Sequence, residues 1–113
     1  MFSYEDNVKK FENMNTEQKK NKLLAMLEYL KDDSQVFWDV YKLLNITNNV
    51  TDNLLLTIYK ILAKSMASLD EKKIKESMDE LNKVKNSLEK LRKQEEEEQK
   101  KEDKEADNLL ESI

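Results

Sequence analysis

The 113-residue chain contains no glycine, proline, cysteine or histidine. Glycine and proline supply the positive-φ turns and rigid bends on which tight β-hairpins depend. Their absence disfavours hairpins and favours helices joined by Asn, Asp, Ser and Thr links. Without cysteine there is no disulfide framework and no thiol nucleophile. General acid–base and nucleophilic steps commonly recruit His or Cys, and the His half of a bundle-type Glu-x-x-His di-metal motif is missing as well. No Gly-rich loop exists to cradle a phosphate. The remaining carboxylate pairs, such as Asp32 with Asp33 and Asp79 with Glu80, stand near lysines on faces expected to be solvated. The composition therefore argues against an enzyme, and no catalytic, cofactor-binding or metal-binding residue is expected.

Long apolar runs are also scarce. The longest, NLLLTIYKILAKSMASL, is broken by Lys60 and Lys64 and falls short of a membrane span. The opening MFSYEDNVKKFEN has neither a basic start nor an uninterrupted apolar stretch of the signal-peptide kind. The expectation is a cytoplasmic protein with no membrane contact.

Charge is unevenly placed. Residues 1–91 hold 15 Lys and 15 Asp/Glu, whereas residues 92–113 hold 5 Lys/Arg against 9 Asp/Glu, which accounts for the whole net charge of −4. A neutral body with an acidic extension has no long-range attraction for phosphate. The lysine clusters Lys9-Lys10, Lys19-Lys20-Lys22 and Lys72-Lys73-Lys75 are interleaved with acids and read as ordinary helix surface. The expected division is a helical domain at 1–91 carrying the apolar core and a charged helical or disordered tail at 92–113.

Hydrophobic spacing then gives an all-α fold: a small bundle of three or four short helices followed by a long, partly coiled-coil-like C-terminal helix. Tyr4, Val8 and Phe11 recur at helical spacing over about 4–14, after Ser3 and Asp6 in a capping-box-like arrangement. A second helix, about 16–31, opens at Asn15 or Thr16 and carries Leu23, Met26, Leu27 and Leu30. A third, about 34–45, clusters Val36, Phe37, Val40, Leu43 and Leu44 on one face. ITNNVT is the clearest loop, since Asn and Thr side chains compete for local backbone groups; its Thr51 or Asn49 is expected to cap the next helix. That helix, about 51–68, is apolar over an arc of roughly 240° at ~100° per residue and so needs neighbours on at least two sides. Leu55, Ile58, Tyr59, Leu62 and Met66 are its expected buried set.

The last helix is expected to start near Ser68 or Asp70. Ala67, Ile74, Leu81 and Leu88 recur every seven residues, and Met78 falls on the same stripe, but Lys85 and Arg92 interrupt the alternate positions. One continuous rod from the preceding helix and a hairpin are both compatible with that spacing. The stripe of Ile74, Met78, Leu81 and Leu88 is a candidate surface for a partner or for a second copy of the chain. In the tail, Glu96 precedes Lys100 by four residues and Glu97 precedes Lys101, the favourable order for helix pairs. Leu109, Leu110 and Ile113 then close the chain at helical spacing, as a docking tip on a charged spacer would.

Trp38 projects away from the face centred on Val40, with Tyr41 between them. Either the first helix covers it through Phe2, Tyr4 or Phe11, or Trp38 and Tyr41 mark a partner surface, where such side chains are over-represented. Together these features predict a non-catalytic protein–protein interaction module of the adaptor, assembly-subunit, chaperone or inhibitor type. The alternative is a nucleic-acid-linked regulator using the helical body or an acidic DNA-mimicking tail. No cofactor is implied.

Overall fold

Polar caps punctuate this chain in place of glycine and proline. Ser3 Oγ accepts from the Asp6 N–H at 3.1 Å and opens α1 (Tyr4–Glu12). Asn15 and Gln18 form a reciprocal capping box, at 2.8 Å and 3.1 Å, ahead of α2 (Thr16–Leu30). Ser34 accepts weakly from the Val36 N–H at 3.4 Å before α3 (Gln35–Ile46), and Thr51 accepts from the Leu54 N–H at 3.2 Å before α4 (Asp52–Ala67). The fifth helix, α5, spans Glu71–Glu111, 41 residues. Each cap satisfies an N–H that the helix itself leaves open.

The computed structural model describes residues 3–67 and 71–111, with side chains over 3–66 and 71–104. The expected Ser68–Glu71 cap falls partly outside the described residues. Every described element is helical, and none of the described residues needs positive φ. Among them, no helix is long and apolar enough to cross a membrane.

Packing follows from the widths of the apolar faces. Helix α4, with the widest, lies against α1, α2 and α5, while α3 lies against α2 and α5. Leu55, Ile58 and Leu62 are fully buried, with Tyr59 and Ile61 nearly so. Met66 departs from expectation: it is 51% exposed, on the same face but one turn beyond the last buried residue of α4. Phe11 of α1 stacks on Tyr59 of α4 with ring centroids 4.3 Å apart, whereas Trp38 of α3 stacks on its neighbour Tyr41; Phe2 lies outside the described residues.

Because α5 packs on both α4 and α3, the chain reverses after α4, and a continuous rod is ruled out. Against α3 it runs parallel: Lys85 meets Asp39 at 3.2 Å, and Arg92 donates to the Ile46 carbonyl at 3.3 Å, the same offset one heptad on. Leu81 and Val84 enter the core just before the first of these polar contacts, and Leu88 between the two. At ~1.5 Å per residue α5 is about 61 Å long, which sets the 65 Å long axis of the molecule.

Candidate protein-interaction surface

The outer side of α3 carries an aromatic pair held by charges from two helices. Trp38 and Tyr41, three residues apart, lie one turn from each other and stack with centroids 6.0 Å apart and planes 18° apart. Both are half-buried; Tyr41 rests against the core cluster. Lys31, which ends α2, brings its ammonium to 5.2 Å from the Trp38 ring centre and 5.3 Å from that of Tyr41. Lys42, one turn along α3, places its own ammonium 4.9 Å from the Trp38 ring. The negative faces of the rings attract both cations.

Glu28 organises this cluster. Its carboxylate accepts from Lys31 at 2.8 Å and from the Tyr41 hydroxyl. The Lys31 bond and, after it, the Tyr41 bond hold Glu28 below the ordinary carboxylate range. The same bonds raise Lys31 and Tyr41 above their usual values, with burial adding to the rise of Tyr41. A charged Glu28–Lys31 pair therefore persists through neutral pH, and Tyr41 remains a hydroxyl donor. Beside Trp38 an open depression of about 460 Å³ is lined by Lys31, Asp32, Asp33, Ser34 and Gln35.

The candidate stripe on α5 is placed differently. Leu81 and Leu88 are fully buried in the chain's own core, Met78 packs against that core, and Ile74 is half-buried. As a candidate surface for a partner or a second copy the stripe loses Leu81 and Leu88, because α5 turns them into the core against α3 and α4. Lys85 and Arg92, polar where the stripe should be apolar, answer Asp39 and the Ile46 carbonyl. Of the tip, Leu109 and Leu110 lie within α5, but their side chains and the whole of Ile113 lie outside the described residues.

Sequence reasoning missed the clamp at the start of the charged tail. Glu95, its side chain only 11% exposed, accepts from the backbone N–H groups of Asn48 and Asn49 at 3.0 Å and 2.7 Å. Arg92 pairs with Glu95 at 3.6 Å and with Glu96 at 3.3 Å while holding Ile46. From the other side Lys20 donates to the Thr47 carbonyl at 3.0 Å. Contacts to the body thus run past the 91/92 division as far as Glu95. The available signal was the Asn-rich loop itself, whose consecutive N–H groups form an anion-accepting nest.

Compared with protein-family models, with curated proteins and with solved structures, the chain matches none of them.

Proposed function

We propose that the protein is a non-catalytic protein–protein interaction module, a small helical bundle that presents the Trp38–Tyr41 surface and a projecting C-terminal helix to a partner. The carrying observation is the Trp38–Tyr41 pair, stacked and half-buried on the outer side of α3. A tryptophan held in one orientation by stacking and two cations loses little further freedom on docking, which favours it as an anchor. The exposed stretch from Glu96 to Lys104 supports a helix that extends away from the body. Two lysines of the Lys19-Lys20-Lys22 cluster are engaged internally: Lys19 faces Asp52 at 3.7 Å and Lys20 holds the Thr47 carbonyl. That favours a protein partner over nucleic acid.

Self-association belongs to the same proposal in narrower form. With Leu81 and Leu88 internal, a second copy would be held through α5 beyond the body. Affinity capture from the native cell tests the module reading. The wild-type chain should retain a defined protein that the Trp38→Ala/Tyr41→Ala variant loses while keeping its helicity. Deletion of residues 108–113 should weaken the same capture. Equal capture by wild type and the double variant would overturn the assignment of this surface, and the mass in solution reports any second copy.

A further inference from the structure

Resting on the reading of Trp38 and Tyr41 as a docking surface, we propose that its occupant is a basic segment of a partner protein. An arginine of that segment seats its guanidinium between the Trp38 ring and the carboxylates of Asp32 and Asp33.

Charge is left over here after the internal pairs are formed. Around the depression, Lys31 is matched by Glu28 at 2.8 Å, and Asp39 is matched by Lys85 at 3.2 Å and Gln35 at 2.9 Å. Asp32 adds only a weaker attraction to Lys31. Neither Asp32 nor Asp33 forms an ion pair with a cation among the described residues, and both are exposed at the rim of the depression. The surplus is negative, so its complement is a cation. The ring has independent affinity for one, since two ammonium groups already lie within 5.2 Å of its centre. Lys31 is anchored by Glu28, whereas Lys42 is exposed and approaches Trp38 from its own helix. Lys42 is therefore the cation that an incoming group displaces. A planar guanidinium fits better than a second ammonium, because it stacks on the indole while its N–H fork engages carboxylates side by side.

Trp38 is the only tryptophan in the chain, so its emission reports occupancy without a label. The full-length protein is titrated with a capped alanine–arginine helical peptide, and with the same peptide carrying glutamate for arginine and a short DNA duplex as controls. The arginine peptide should change Trp38 emission saturably and less so as salt rises; neither control should. Anisotropy of the labelled arginine peptide should show Asp32→Asn/Asp33→Asn weakening binding about three- to tenfold. Lys42→Gln, which removes the internal competitor, should tighten it about two- to fivefold. Unchanged helicity and melting in each variant separates these effects from misfolding. No saturable response, equal binding of the glutamate peptide or DNA, or unaltered affinity in the aspartate variant would overturn the proposal. If cellular capture still depends on Trp38 and Tyr41 while the arginine peptide fails, the surface stands and its basic occupant falls; if both fail, the surface falls with it.

Discussion

Helix α5 contains two regions under different constraints. From Glu71 to Glu95 its inward side chains each find a counterpart: Leu81, Val84 and Leu88 in the core, Lys85 on Asp39, Arg92 on Ile46, and Glu95 on the loop after α3. From Glu96 to Lys104 every side chain is exposed. Both regions are helical, so helicity does not distinguish them. What distinguishes them is whether the body lies within reach, and neighbouring glutamates of one run, Glu95 and Glu97, fall on opposite sides of that division.

The sharpest way to break this comparison is to remove apolar volume from the packed region. Leu88→Ala leaves a cavity in a fully enclosed site and should cost about 2–5 kcal/mol, as should Leu62→Ala in α4. Gln99→Ala, in the exposed region, should stay within about 0.5 kcal/mol of wild type. Equal shifts in the urea midpoint for Leu88→Ala and Gln99→Ala would mean that α5 does not close the core.

The next effect separates two residues that composition treats alike. Glu95 is a charged acceptor for two backbone N–H groups that would otherwise be left without it. Glu95→Ala should destabilise by about 1–3 kcal/mol, whereas Glu97→Ala should be nearly silent. Hydrogen exchange at the Asn48 and Asn49 amides supplies the direct readout. It should accelerate in the Glu95 variant alone.

This contrast also marks how far the sequence can be read. Helix positions, the wide apolar face of α4 and the Thr51 cap follow from local spacing and capping chemistry, which act within a few residues. The heptad stripe was legible as a stripe, but its partner was not: periodicity shows that a face is apolar without showing whether α3 or another molecule covers it. Lys85 and Arg92 looked like faults in that stripe because their counterparts, Asp39 and the Ile46 carbonyl, lie 46 residues earlier in the chain. The aromatic surface was half legible. Trp38 was recognisable as pointing away from the core, and Glu28 with Lys31 is a local i,i+3 pair, while the approach of that pair to Tyr41 and Trp38 depends on how α2 meets α3.

A smaller effect tests whether the polar contacts between α3 and α5 resemble the clamp or the tail. Hydrogen bonding from Gln35 and then the Lys85 contact hold Asp39 below the ordinary carboxylate range. For a carboxylate lowered on folding, the stabilisation is fully present above its unfolded value, ~3.9, and is lost as the pH falls through the folded value. Between pH 7 and pH 3 the wild type should therefore lose more stability than Asp39→Asn does. Because both side chains are partly solvated, at 29% for Lys85 and 23% for Asp39, the pair should be worth no more than about 1 kcal/mol at pH 7. Parallel pH profiles for the two proteins would remove Asp39 from the contacts that fix α3 on α5.

The smallest effect concerns the exposed region itself. With no packing face, the helix past Glu96 depends on intrinsic propensity and on pairs such as Glu97 with Lys101, each worth a few tenths of a kcal/mol and weakened by salt. Arg92 already draws Glu96 backward at 3.3 Å, which links the first exposed turn to the clamp. Lys100→Glu/Lys101→Glu reverses the spacing that supports the turns beyond. It should lower the helical circular-dichroism signal by a few residues' worth while the urea midpoint, set by the core, stays in place. Amide exchange resolved by residue should show protection falling steadily from Glu96 outward in the wild type and falling faster in the variant, with the amides of Leu81 to Leu88 unaffected. A midpoint that moved with the tail signal would show that the two regions of α5 unfold as one unit, and that the body feels charges it does not touch.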